Sequence, residues 1–466
     1  MSGSRASGIN ETSVREFASF NREHRRAKSF AAAATEIRRG LGKSKNILIE
    51  SFATPLSKSR SATEIFFNDT PESCRHGSDP VFSIPVNYDF KTCPDRAGTG
   101  SLKWERYAGR DIVPMWVADM DFTSAPEIIE ALRDRVEHGV FGYTVPPAST
   151  VQAAIEYLRT RHGAEVTPEQ IVWFPGLVPA LNVACRAFVP EGGAVLTCTP
   201  VYPPFLTAPE FAGAKLQTVD LVETNGVWEI DFDALEAAVT PETKLFILCN
   251  PHNPVGRVFP RPTLERLSEF CRRHDLVLIS DEIHCDLVLD YLPHTSGLKL
   301  SSPDGPPILS MFAPSKTFNL AGLACAFVVV PDASTRRIFQ KAARGLITEI
   351  NALGYAGCEA AFQHGWPWHA QLLELLRANR NRVEEFVASS LPGIRTWHLE
   401  ATYLAWLDAR ELGLPNASKF FEDHGIGLSD GVPFGAPQGF LRLNFGCPRS
   451  QLDEALARMA RALASR

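Results

Sequence analysis

The sequence predicts an α/β protein with a mostly parallel sheet, covered by helices on both faces, in a large domain, and with a smaller α+β domain beside it. Three observations carry this expectation. The chain has 466 residues, 45% of them apolar, which is enough for a large core and for more than one structural unit. From about Val172 short apolar runs alternate with stretches of helical periodicity. Beyond Ala342 that alternation gives way to long helical stretches followed by short strand-like pieces.

The runs are IVWF (171–174), AVLTC (194–198), KLFILC (244–249), LVLIS (276–280), PILSMF (307–312) and CAFVVV (325–330). They are short, rich in Val, Ile, Leu and Phe, and do not alternate with polar positions, as strands buried on both faces do not. Between them lie candidate helices such as 179–188 and 261–274. Strand and helix in alternation imply crossover connections and parallel pairing. Ligands of such sheets sit at the carboxyl ends of strands. Chemistry is therefore sought just after each run. After Ala342, the stretch 369–389 reads as a helix, and 395–407 and 440–445 hold short strand-like pieces. The expected divisions are an extension over 1–80, an N-terminal segment over 81–128 that joins the small domain, a large domain over 129–368 and the small α+β domain over 369–466.

Lys and Arg total 47 against 53 for Asp and Glu, a net charge of −6, so nothing points to a nucleic-acid partner. The ten cysteines are all more than ten residues apart with no CxxC pair, which argues against a zinc site and a disulfide framework. They read as reduced thiols in a cytoplasmic compartment. No apolar run reaches the roughly 18 residues of a membrane span. Residues 1–60 hold 12 Lys/Arg against 5 Glu and no Asp, with many Ser and Ala. This reads as a disordered basic tail or an over-long predicted start. An organelle transit peptide is the alternative, and its five glutamates weigh against it.

Lys316 follows the run PILSMF within APSKTFNLAG. A lysine at the end of a buried strand is poorly solvated, which favours the neutral amine that a Schiff-base nucleophile requires. Taken alone it reads more readily as a surface loop lysine. Ser315 and Thr317 flank it with hydroxyls that could reach a phosphate. LVLIS ends in Asp281-Glu282-Ile283-His284, and a carboxylate at the mouth of the sheet is costly unless a cation meets it. A protonated pyridine nitrogen is such a cation, and a helix-capping role is the alternative. KLFILC ends in Asn250-Pro251-His252-Asn253-Pro254-Val255-Gly256, a turn that presents a side-chain amide at a set position. Gly176, after IVWF, opens an apolar helix whose free N–H groups make an anion site. Tyr202, after AVLTC, could lie flat on a heteroaromatic ring. Arg442, inside the alternating FLRLNF, suits a bidentate carboxylate if it faces inward; the alternation also allows it to face outward.

In content and order these pieces resemble the fold-type I pyridoxal-5'-phosphate (PLP) enzymes, from about residue 87 to the C-terminus. The strings Met115-Trp116-Val117-Ala118-Asp119-Met120-Asp121-Phe122, Phe141-Gly142-Tyr143, Asp281 to His284 and Ser315 to Gly322 are similar to the cystathionine β-lyase / C-S lyase branch related to class I and II aminotransferases. The resemblance implies a seven-stranded sheet and makes 129–368 the PLP-binding domain. It implies that Lys316 carries the cofactor, Asp281 pairs with the pyridine nitrogen, and Asn253 holds the phenolic oxygen with His284 near it. Tyr202 would stack on the ring, and Gly176, Leu177 and Ser315 would bind phosphate. Tyr143 would reach the site of a neighbouring subunit in a homodimer. Arg442 would bind the substrate α-carboxylate, with Trp116 also at the substrate. Two departures are the pair Ala313, where relatives often have a phosphate-binding serine, and Ala324, where aminotransferases often have arginine, and the basic extension, which the family does not require. The implied reaction is β-elimination of a thiol from cystathionine or another cysteine S-conjugate, giving pyruvate and ammonia, with the freed Lys316 removing the Cα proton. The alternatives are a class I/II aminotransferase and a PLP-binding regulator.

Overall fold

The computed structural model describes residues 87–466; the expectation for an extension over 1–80 lies outside the described residues. The sequence runs become strands β1 (Ile171–Phe174), β2 (Ala194–Thr199), β4 (Thr243–Cys249), β5 (Val277–Asp281), β6 (Ile308–Phe312) and β7 (Ala326–Val329), each within one or two residues of its expected bounds. A further strand, β3 (Lys215–Asp220), completes a seven-stranded sheet of order β1-β7-β6-β5-β4-β2-β3. Its sequence KLQTVD alternates, and only Val219 is buried. It is an edge strand, so it lacks the continuous apolar run that marks its neighbours.

β7 is antiparallel to both β1 and β6, and the remaining pairs are parallel. The five other runs therefore point the same way and end at one edge of the sheet. Helix α1 (Leu177–Phe188) starts two residues beyond the limit expected from Pro179, because Gly176 at its N-cap has φ of 123° and turns the chain directly from β1 into the helix. That backbone is one that residues with a Cβ rarely adopt. Helix α2 (Arg261–Arg273) packs Leu264, Leu267 and Phe270 against the sheet core.

The later helices α3 (Pro314–Thr317) and α4 (Trp366–Ser390) precede a four-stranded antiparallel sheet. Its strands are β8 (Arg395–Thr396), β9 (Leu404–Asp408), β10 (Ser429–Asp430) and β11 (Phe440–Asn444), in the order β8-β9-β11-β10. Helix α5 (Arg449–Ala464) follows. Val113–Pro114 pairs in parallel with Ile426–Gly427. This pairing leads the segment after Pro114 back toward the strand ends. No helix among the described residues is long and apolar enough to cross a membrane.

Candidate active site

A cavity of about 320 Å³ opens at the carboxyl ends of the central strands. Gly176, Leu177, Tyr202, Asn253, Asp281, His284, Ser315 and Lys316 all line it. They come from five different strand ends, so the parallel sheet converts sequence order into spatial convergence.

Asp281, the last residue of β5, is buried, and its Oδ1 accepts only the Ile283 N–H (3.1 Å). Among the described residues no cation lies within ion-pair distance of it. Burial pushes its carboxyl up to about 7, with Glu282 adding to the shift and Lys316 opposing it. The Lys316 amine is pushed down to about 8 by burial first, then by Arg442. Its Nζ donates to the Ala118 carbonyl (2.6 Å). Lysine and aspartate thus share the cavity without pairing. His284 has a buried Nδ1 without a partner, and burial lowers its imidazole to about 3, which keeps it neutral.

Arg442 settles the question its alternation left open, because β11 is buried along its whole length and the side chain turns inward. Its Nη1 donates to Asn253 Oδ1 (3.0 Å) and its Nη2 to the Trp116 carbonyl (3.0 Å). The guanidinium lies 4.7 Å from the centre of the Phe434 ring. Nε has no partner, and burial lowers the group to about 10. Among the described residues no carboxylate pairs with it. A buried guanidinium left this way favours an incoming carboxylate strongly.

Two expected residues stand apart from the cavity. Trp116 does not line it: the indole Nε1 donates to the Lys103 carbonyl (3.1 Å) and Arg106 covers the ring at 4.5 Å. The chain turns so that the Trp116 carbonyl, not its ring, meets Arg442. Tyr143 is fully exposed and touches nothing in the cavity of its own chain.

Other site groups were not singled out by sequence. Ala118 lies in the string 115–122, but nothing in its type reveals that its carbonyl receives Lys316. That carbonyl also accepts the Tyr403 hydroxyl (3.0 Å). Asn444 Nδ2 holds the carbonyls on either side, at 2.6 Å to Val117 and 2.7 Å to Asp119. Asn319 Nδ2 takes those of Met120 and Phe122, both at 2.9 Å. At the end of α3, Thr317 Oγ1 donates to Asp286 Oδ2 (3.3 Å) within a buried cluster. There the Tyr157 hydroxyl donates to Asp286 (2.9 Å) and bonds His162 (2.9 Å) and Cys285 (3.3 Å). His162, Cys285 and Asp286 converge as metal ligands would, but the hydroxyl occupies their common centre and satisfies each of them.

The residues present fit PLP. An unpaired buried carboxylate suits a pyridinium. An amide turned by Arg442 leaves its Nδ2 to donate, and the first turn of α1 offers N–H groups to a phosphate. Ala313 leaves no hydroxyl before α3, so Ser315 and those backbone groups are the nearest donors.

The fold and this arrangement define a class, and the comparisons agree. Residues 110–459 match the family model aminotransferase class I and II, and the chain belongs to that family. It is 38% identical to the cystathionine beta-lyase PatB of Bacillus subtilis (strain 168), over 81% of this chain and 100% of that protein. The crystal structure of OvoB superposes with a TM-score of 0.79 at 42% identity, covering 82% of this chain and all of that one. Cystalysin from Treponema denticola, whose crystal structure contains a pyridoxal 5'-phosphate cofactor, gives 0.77 at 32% identity, over 82% of this chain and 100% of cystalysin.

Proposed function

We propose that the protein is a PLP-dependent carbon-sulfur β-lyase that releases a thiol, pyruvate and ammonia from cystathionine or another cysteine S-conjugate. The observation that carries this is a lysine of lowered basicity, an unpaired aspartate and an unpaired arginine brought together at one mouth of the sheet. The likeness to a cystathionine beta-lyase over that protein's whole length supports it, and so does the cofactor of cystalysin.

When bound, PLP supplies an electron sink for charge developing at the substrate Cα. The rest belongs to this chain. Arg442 binds the α-carboxylate and fixes the amino acid in one orientation. Asn253, held by Arg442 through Oδ1, would have Nδ2 free to donate to the phenolic oxygen of the ring. Asp281 offers its negative charge to the ring nitrogen. Gly176, Leu177 and Ser315 serve the phosphate, and Tyr202 covers the ring. Lys316 would hold the cofactor in the resting enzyme; once free, its Nζ would take the Cα proton.

The assembly is a homodimer in which Tyr143 reaches the neighbouring subunit's site. In support, Tyr143 stands on a segment that also exposes Val140, Phe141 and Val145. The cytoplasmic location inferred from the cysteine spacing is part of the same reading. An aminotransferase would use the same cofactor contacts, and a PLP-binding regulator would keep them with little turnover. Incubation with L-cystathionine in the absence of any 2-oxo acid separates the readings. Steady release of pyruvate and thiol is expected; turnover that requires an added 2-oxo acid would replace the lyase with a transaminase, and no turnover would point to a regulator.

A further inference from the structure

The segment Trp116–Phe122 is irregular backbone beside a cavity, where carbonyls normally turn to water. Here side chains claim them in succession, and the pattern centres on Ala118. Its carbonyl accepts two donors, Lys316 Nζ (2.6 Å) and the Tyr403 hydroxyl (3.0 Å), which uses both lone pairs. Asn444 pins the carbonyls before and after it. Tyr403 is almost fully buried, and its ring meets His284 edge-on at 6.4 Å. Burial moves its hydroxyl well above the usual phenol range, so it remains a donor at any working pH.

We propose that the Ala118 carbonyl is the docking point of the free Lys316 amine, and that Tyr403 is the positioning residue that holds this carbonyl in place. The inference rests on the reading of Lys316 as the amine that exchanges a proton at the substrate Cα. A free lysine side chain has four rotatable bonds and would otherwise sample many positions. One N–H given to Ala118 fixes the nitrogen and leaves its lone pair free for the substrate proton. The choice of acceptor matters. A carboxylate here would hold the lysine as an ammonium, whereas a carbonyl already shared with a phenol orients the amine without locking in its charge. Thr402, just before Tyr403, has φ of 74°, an uncommon conformation for a residue with a β-branched side chain. The fold tolerates it at the position that delivers Tyr403.

Tyr403→Phe removes one oxygen and keeps the ring; Asn444→Ser releases the flanking carbonyls and is the second variant should the first not fold. In the full chain stripped of cofactor, acetic anhydride labelling of Lys316 at pH 8, read by peptide mass spectrometry, is expected to fall about twofold, as a rise of half a pKa unit from about 8 dictates. The whole acceptor is then left to the ammonium. In the holoenzyme, exchange of the Cα proton of L-alanine in D₂O is expected to slow about tenfold, part of the usual contribution of a positioned base, at unchanged half-saturation and unchanged visible absorbance. Labelling and exchange both at wild-type values would overturn the role, as would a parallel loss of exchange and cofactor absorbance. A wild-type enzyme that exchanges the Cα proton but releases no pyruvate from cystathionine counts against the lyase reading and not against this one.

Discussion

Asp281 shows what a single strand-end residue does. Its carboxyl is raised to about 7 in the folded chain against 3.8 in an unfolded one. The folded state therefore prefers the protonated form, so stability of the cofactor-free protein falls as pH rises from about 4 to about 7. The loss is roughly 4 kcal/mol at most. A bound pyridinium supplies the missing cation and removes it. The gain in Tm on adding PLP is therefore expected to be larger at pH 8 than at pH 5. Asp281→Asn should raise the Tm of the cofactor-free chain at pH 8 while weakening cofactor binding; calorimetry across pH checks both. Arg442 carries the other unmatched charge. Arg442→Ala removes a charged hydrogen bond of about 2 kcal/mol, which raises KM for the amino acid roughly thirtyfold. Steady-state kinetics test this, and a KM within twofold of wild type would exclude Arg442 from the carboxylate. Both residues were legible because each follows or interrupts an apolar run. Tyr403 and Ala118 were not, since a tyrosine in TYLAWLD and an alanine's carbonyl look the same whether or not a lysine meets them.

At the scale of elements, the segment 116–122 depends on a charge network on its far side. Asp121 is fully buried, with Lys103 Nζ at 2.8 Å, Arg96 Nη1 at 2.7 Å and the Trp104 and Gln451 N–H groups at 3.0 and 2.8 Å. These four donors hold its carboxyl below the usual range despite burial. Asp121→Ala leaves Lys103, itself fully buried, with Asp119 Oδ1 at 3.8 Å as its remaining acidic partner. A loss of about 3 to 5 kcal/mol is expected by urea unfolding. A loss below 1 kcal/mol would show that the network is not what holds the segment. The strands themselves were readable because parallel strands buried on both faces cannot hide their apolar runs. β3 was missed for the opposite reason: an edge strand has water on one side and keeps polar residues. The N-terminus of α1 was displaced by two residues because Gly176, a single position with φ of 123°, decides where the helix begins.

For the whole molecule, the sequence order Gly176, Tyr202, Asn253, Asp281, Lys316 became one cavity because parallel strands end on the same side. What one chain does not complete is the position of Tyr143, which is exposed and does not line its own cavity. If two subunits share each site, Lys316→Ala and Tyr143→Ala proteins are each nearly inactive, and exchanging their subunits restores one intact site per mixed dimer. Random exchange is then expected to recover about a quarter of wild-type activity, measured as pyruvate release after mixing. No recovery in a sample shown to contain mixed dimers would place Tyr143 outside the site. The direct test of the central claim is reduction of the resting holoprotein with borohydride, followed by peptide mass spectrometry. A pyridoxyl group on Lys316 is the result expected; a pyridoxyl group on another lysine, or on none, would contradict the account.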